Sequence, residues 1–173
     1  MSEPGQVKLF TGMLAAQTTL FEAVEPQLEA LFGQIDLVSP VWSWNHTTYY
    51  EKELGKGLLR KFVFFKSLIH PQQLPEIKLQ TIALENKYLH SEHLRLINLD
   101  PGYLNAAKVV LASTKDYSHR LYLSHGIYGE VTLAFSKSAY RPFPYTYPDF
   151  RTEEYLAFFE KARGIYKNLN KEL

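Results

Sequence analysis

The stretch HRLYLSHGIYGEVTLAF, residues 119–135, decides the fold class. Two alternating apolar runs flank His125-Gly126, the pattern of an antiparallel hairpin. Leu121, Leu123, Val131, Leu133 and Phe135 share one face only if an odd-length connection of three or five residues joins the strands, because a one-residue slip moves every side chain to the other face. In that register Tyr122 faces Glu130, Arg120 faces Thr132, and Arg120 and Glu130 are diagonal neighbours on the polar face.

Upstream, VKLFTGMLA from Val7 to Ala15 is a short apolar run without alternation, which predicts a central strand covered on both faces. Residues 18–33 change to helical period, with Leu20, Phe21, Val24, Leu28, Leu31 and Phe32 on one stripe. Thr19 with Glu22 reads as a capping box and Gly33 as the helix stop. Pro26 costs about 3 kcal/mol inside a continuous helix, which predicts a kink or a fresh start near Glu25. Residues 35–44 and 58–68 read as strands joined by a polar loop at 45–57. A helix follows between Pro71 and His90, with Leu74, Ile77, Thr81, Leu84 and Tyr88 along its stripe. Residues 94–99 read as a strand that stops at a turn, Asp100-Pro101-Gly102. Residues 105–113 fit either a short helix or a strand. Downstream, RPFPYTYPD (141–149) reads as an extended aromatic loop, and Thr152 opens a last helix whose acidic first turn suits the helix dipole. The order predicts an α+β fold, a ferredoxin-like βαββαβ core with an added antiparallel hairpin and a C-terminal helix, in a single domain over residues 1–173.

Composition narrows the chemistry. Absence of cysteine among the 173 residues excludes disulfides, thiolate metal sites and thiol nucleophiles. The net charge of +1 gives no global attraction to nucleic acid, so any basic patch is local. No signal peptide and no apolar run long enough to span a bilayer is seen, and the expected address is cytoplasmic, without membrane contact. Phosphate-loop, dinucleotide-fold, nucleophile-elbow and zinc-protease motifs are absent. His90-Ser91-Glu92-His93 has metal-like spacing but no second ligand pair, and reads as a solvated helix end before a metal site. The residues name no cofactor.

Candidate site residues cluster between Asp100 and Glu130. Asp100 ends a predicted strand, where sites are common, although Asp-Pro-Gly is also plain turn chemistry. If the polar face of the hairpin lines a cleft, Lys108, Lys115 and Arg120 bind an anion, and Asp100, His119 and Glu130 are candidates for proton transfer. Tyr122, Tyr128 and Tyr147 would then contact the ligand, with the PYTYPDFR segment as a lid. The plainer alternative is an Arg120–Glu130 ion pair that fixes register. The TTYYEKE loop (47–53), followed by Arg60, Lys61 and Lys66, reads equally as a ligand-positioning loop or as a charged hairpin tip.

VKLFTGML at Val7, FGQIDLVS at Phe32, TYYEKELG at Thr48, INLDPGYL at Ile97, STKDYSHRLYLSHGIYGEVTL at Ser113 and PYTYPDFR at Pro144 together resemble an uncharacterised bacterial family, the domain of unknown function numbered 4416. Against that pattern Gly129 stands where alanine is usual, Tyr145 where tryptophan is usual, Phe150 where tyrosine is usual, and Thr81-Ile82 replaces a Thr-Asn pair. The last departure argues against a site role for its helix. The resemblance implies a stand-alone protein and supplies no activity. The expectation is a small-molecule binding protein or enzyme acting on a phosphate- or carboxylate-bearing metabolite. The competing expectation is an RNA- or protein-interaction module using Trp42, Trp44, Tyr49, Tyr145 and Tyr147, and a homodimer built by sheet extension is compatible with both.

Overall fold

A computed structural model describes residues 2–91 and 94–170. The element order is β1 (Val7–Ala15), α1 (Thr18–Phe32), β2 (Ile35–Val38), β3 (Trp42–Ser43), α2 (Glu51–Leu54), β4 (Leu59–Ile69), α3 (Leu74–Glu85), β5 (Leu89–Ser91), β6 (Leu94–Arg95), β7 (Ile97–Leu104), β8 (Lys108–Ser113), β9 (Leu121–Ser124), β10 (Ile127–Ser136), β11 (Ala139–Pro142) and α4 (Glu153–Leu169). Nine strands form one sheet in the order β11-β10-β8-β7-β1-β4-β2, with β3 beside β4 and β9 beside β10, while β5 and β6 pair separately. The strand ladders are antiparallel, giving a mixed α+β architecture built on a large antiparallel sheet. Helix α1 links β1 to β2 around β4, and α3 links β4 to β7 around β1.

Side-chain alternation explains why the helices lie where they do. Leu9 and Met13 of β1, with Val63 and Phe65 of β4 and Ile97 and Leu99 of β7, face α1 and α3. Phe10 of β1, Phe62 and Phe64 of β4 and Leu104 of β7 face the other way, against Phe158 and Phe159 of α4. β1 is paired along its length with β4 and β7 and is buried at every position, as its unbroken apolar run predicts.

Several local expectations are corrected. Helix α1 runs unbroken through Pro26, which lies on the exposed face with Glu22, so the carbonyl freed by the proline can be hydrated while Phe21, Val24 and Leu28 anchor both halves. Gln17, rather than a Thr19–Glu22 box, precedes it and makes no side-chain cap. Strand 35–44 breaks into β2 and β3. Residues 108–113 settle as strand β8, and the 45–57 loop contains the short α2. The Glu92-His93 half of the metal-like spacing lies outside the described residues.

Asp100-Pro101-Gly102 is not a turn, because β7 continues through it to Leu104. Pro101 is the first residue beyond the β7–β8 ladder, whose last pair is Gly102 with Leu111, so its missing N–H falls where that ladder ends. Gly102 is required by close approach: a Cβ there would sit 2.4 Å from the Val110 carbonyl oxygen and 2.5 Å from the Phe10 ring.

The hairpin forms with a different turn. His125 and Gly126, with φ of 53° and 75°, make a two-residue connection, and the register then shifts at Leu123. The bulge restores the parity that a longer loop was expected to supply. Tyr122 therefore meets Tyr128 instead of Glu130, with their rings 5.4 Å apart. Leu121 and Leu123 are exposed and do not share a buried face.

Candidate functional site

The cleft arises from a fault in the sheet. N-terminal to Gly102, β7 stays paired with β1, whereas β8 beyond Leu111 follows β10 alone. The diverging strands open a cleft of about 390 Å³. Asn98 and Asp100 line it from β7, Ser113 and Lys115 from the β8 end, Lys78 and Glu85 from α3, and Tyr49, Tyr50 and Tyr147 from two loops. Lys78 and Glu85 stand two helical turns apart on α3, on the same face as Leu74 and Thr81.

Asp100 is the central carboxylate. Its side chain is 30% exposed and lies 3.6 Å from Arg60 Nη1 and 3.5 Å from Lys78 Nζ. The Asn98 amide donates to it at 2.7 Å. Arg60 reaches Asp100 because Gly12 lies between them on β1: Gly12 pairs with Asp100 on one side and Phe62 on the other. A Cβ on Gly12 would sit 3.1 Å from Arg60 Nη1 and 2.9 Å from the Phe62 ring. Arg60 also contacts Asp149 at 3.5 Å, and the Trp44 indole donates to Asp149 at 3.0 Å. Burial works against the Arg60 charge, but Asp149 and Asp100 outweigh it and raise its pKa.

A second ionic chain closes the α3 side. Arg95 donates to Glu53 at 2.5 and 2.9 Å, to Glu85 at 2.7 Å and to Asn98 at 3.1 Å. Glu85, 1% exposed, also accepts from the Leu99 backbone N–H at 2.5 Å. Desolvation raises the Glu85 pKa despite Lys78 and Arg95 nearby, whereas the Arg95 hydrogen bonds lower that of Glu53. Burial, with Asp100 next in effect, raises the Tyr50 phenol well above its ordinary value. On the rim, Lys115 donates to the Tyr49 hydroxyl at 2.8 Å, and that bond raises its pKa and favours the ammonium.

Of the residues singled out from the sequence, Asp100, Lys115 and Tyr147 meet in this cleft. His119, Arg120 and Glu130 form an adjoining network instead. Arg120 donates to Glu130 at 3.2 Å, Ser113 at 2.9 Å, the Lys115 carbonyl at 3.1 Å and Tyr147 at 3.0 Å. Its donors are thus largely committed to holding the Lys115 and Tyr147 segments together. His119 lies 2.8 Å from Glu130 and stacks on Tyr145 at 4.3 Å, while Thr132 donates to Glu130 at 2.9 Å. The sequence-level ion pair between Arg120 and Glu130 therefore exists, in a buried setting.

Lys108 is not part of either group. It begins β8, whose other end carries Ser113, about 17 Å away along an extended strand. Tyr122 and Tyr128 sit on the β9–β10 edge and do not line the cleft. The expected tryptophan surface is also corrected: Trp44 is buried at 7% exposure, and Trp42 packs against Phe62, Tyr155 and Phe158. Tyr49 and Tyr147 remain exposed.

Sequence reasoning missed Lys78, Glu85, Arg95, Asn98 and Asp149, and discounted α3, which forms one wall. A signal was present: Lys78 and Glu85 fall on the apolar stripe of that helix, and Arg60 falls in register with Phe62 and Phe64. Charges on a buried face need partners, and their partners build the site.

Among the described residues no helix is long and apolar enough to cross a membrane. Neither the curated proteins nor the solved structures provide a match. A family model described as "Domain of unknown function (DUF4416)" matches residues 5–166, nearly the whole chain. By that match the chain belongs to the domain of unknown function 4416 family.

Proposed function

We propose that the cleft between β7 and β8 binds a small metabolite bearing a phosphate or carboxylate. Its anionic group rests on Lys115, a flat portion lies against Tyr49 and Tyr147, and Asp100 below accepts a hydrogen bond or a proton. One observation carries this reading. Among the described residues Lys115 is a cleft cation with no carboxylate within ion-pair distance, whereas Arg60, Lys78 and Arg95 are each paired. An unpaired, hydrogen-bond-oriented ammonium at the mouth of a polar cleft is suited to an anion. The strand order β7-β1-β4-β2, crossed by α1 and α3, supports a ferredoxin-like core beneath it.

A thermal-shift panel of phosphorylated and carboxylated metabolites tests the reading. A ligand at 100 times its Kd adds about 2.7 kcal/mol of stability, enough to move the transition by several degrees. The shift should disappear in Lys115→Ala and persist in Lys108→Ala. A silent panel, or a hit equally strong in Lys115→Ala, overturns it.

A further inference from the structure

A smaller, partly open chamber of about 60 Å³ lies beside the cleft and shares Tyr50, Asp100 and Tyr147 with it. Its remaining walls are Trp44, Phe62, Leu111 and Phe150, with Thr47, Arg60 and Asp149 as the polar groups. The volume is that of roughly two water molecules, so a group of three or four heavy atoms fits and a phosphate with its hydration does not.

Arg60 is under-coordinated for so buried a cation. It is 5% exposed, its contacts to Asp100 and Asp149 stretch to 3.6 and 3.5 Å, and its Nε has no hydrogen-bond partner. A guanidinium presents five donors, and long bonds to two carboxylates leave donor capacity unfilled. Asp100, by contrast, accepts one short hydrogen bond, from Asn98, and its side chain is 30% exposed, which leaves acceptor capacity free. Charge is already balanced, with Arg60 and Lys78 against Asp100 and Asp149. A charged guest would add an unpaired charge to a narrow, largely aromatic-walled site, whereas a neutral guest with both acceptor and donor would not.

We infer that this chamber is a subsite for a neutral planar polar group, of the carboxamide or urea class, whose carbonyl accepts from Arg60 and whose N–H donates to Asp100. The inference builds on the proposed cleft ligand, placing its uncharged end inside and its anionic end at Lys115.

The two tryptophans supply the assay. Trp44 lines the chamber through its bond to Asp149, and Trp42 lies outside it, so their indole N–H resonances in the ¹⁵N-labelled chain serve as reporter and control. Acetamide should shift the Trp44 resonance saturably and leave Trp42 in place. Acetate and methylammonium at matched ionic strength should bind at least about tenfold more weakly, because each carries an unpaired charge inside. The acetamide response should survive in Lys115→Ala and be lost in Leu111→Phe, which fills the chamber without touching its charges. No saturable shift, or acetate binding as well as acetamide, overturns the inference. A response to acetamide alongside a silent anionic panel keeps the subsite and removes the anion reading.

Discussion

Replacing Gly12 with alanine adds one methyl group at the point where β1 separates Arg60 from Asp100. The new Cβ would stand 2.9 Å from Phe62 Cε1 and 3.1 Å from Arg60 Nη1, so Phe62 must retreat by about half an ångström to reach ordinary contact. Phe62 cannot retreat freely, because its ring packs against Tyr155 at 5.2 Å, Phe159 at 5.2 Å and Phe150 at 5.7 Å. Overpacking of this kind costs about 1–3 kcal/mol, offset by about 0.5–1 kcal/mol from the reduced entropy of the unfolded chain. The net loss lies between about 0 and 2.5 kcal/mol and centres near about 1 kcal/mol, a fall of about 2–4 °C in Tm at that centre for a domain of this size. Gly164→Ala is the control: nothing lies within 4 Å of its Cβ, and a glycine inside α4 should yield about 0.5–1 kcal/mol of added stability when replaced. Urea denaturation of the three proteins gives both values, and the Trp44 indole resonance reports whether Arg60 has moved. If Gly12→Ala matches the wild type within about 0.5 kcal/mol and leaves that resonance in place, the crowding between β1 and Arg60 is not as described.

Two further outcomes are expected. Phe159→Ala should destabilise by about 3–5 kcal/mol in urea titration, because the ring is fully buried and packs on Phe10, Phe62 and Phe64; a loss below about 1 kcal/mol would contradict the central place of α4 in the core. The Glu53 carboxyl is held below its ordinary value of 4.5 by Arg95, so its contribution to stability is complete above that pH and is lost as the pH falls through the lower folded value. Glu53→Gln should therefore lose stability at neutral pH and show a shallower acid decline in denaturation curves measured from about pH 6 to 3; an unchanged slope would show that the Arg95 clamp does not hold the charge.

The sheet was legible wherever burial on both faces or a strict period dominated the residues. β1, β4 and the stripe of α4 follow directly from apolar spacing, and Thr152 caps α4 by accepting from the Tyr155 N–H at 3.4 Å. Local chemistry misled where tertiary contacts overrode it. Asp-Pro-Gly carries every mark of a turn, yet Thr11 pairs with Pro101 across β1, and the extended ladder wins. Pro26 carries the mark of a helix break, yet its exposed side makes the lost bond tolerable. The candidate site was half legible for a related reason. Asp100, Lys115 and Tyr147 stand in conspicuous motifs, whereas Lys78 and Glu85 look like irregularities in an apolar stripe until the strand divergence gives them something to face. Lys108 lies at the end of β8 away from this cleft.

Gly12 has one further consequence. Arg60 lies on β4 and Asp100 on β7, the two strands joined through α3, while the β1 strand that runs between them comes from the start of the chain, and Asp149 lies 89 residues beyond Arg60 in sequence. A fragment from β4 to β7 carries both Arg60 and Asp100 but lacks β1, the strand that separates them, and no local rearrangement can supply it. On the proposed reading, bound ligand therefore counts the molecules that have completed the whole topology. A partly folded chain would then be a non-binder rather than a weaker binder, so binding capacity and native structure should be lost at the same denaturant concentration.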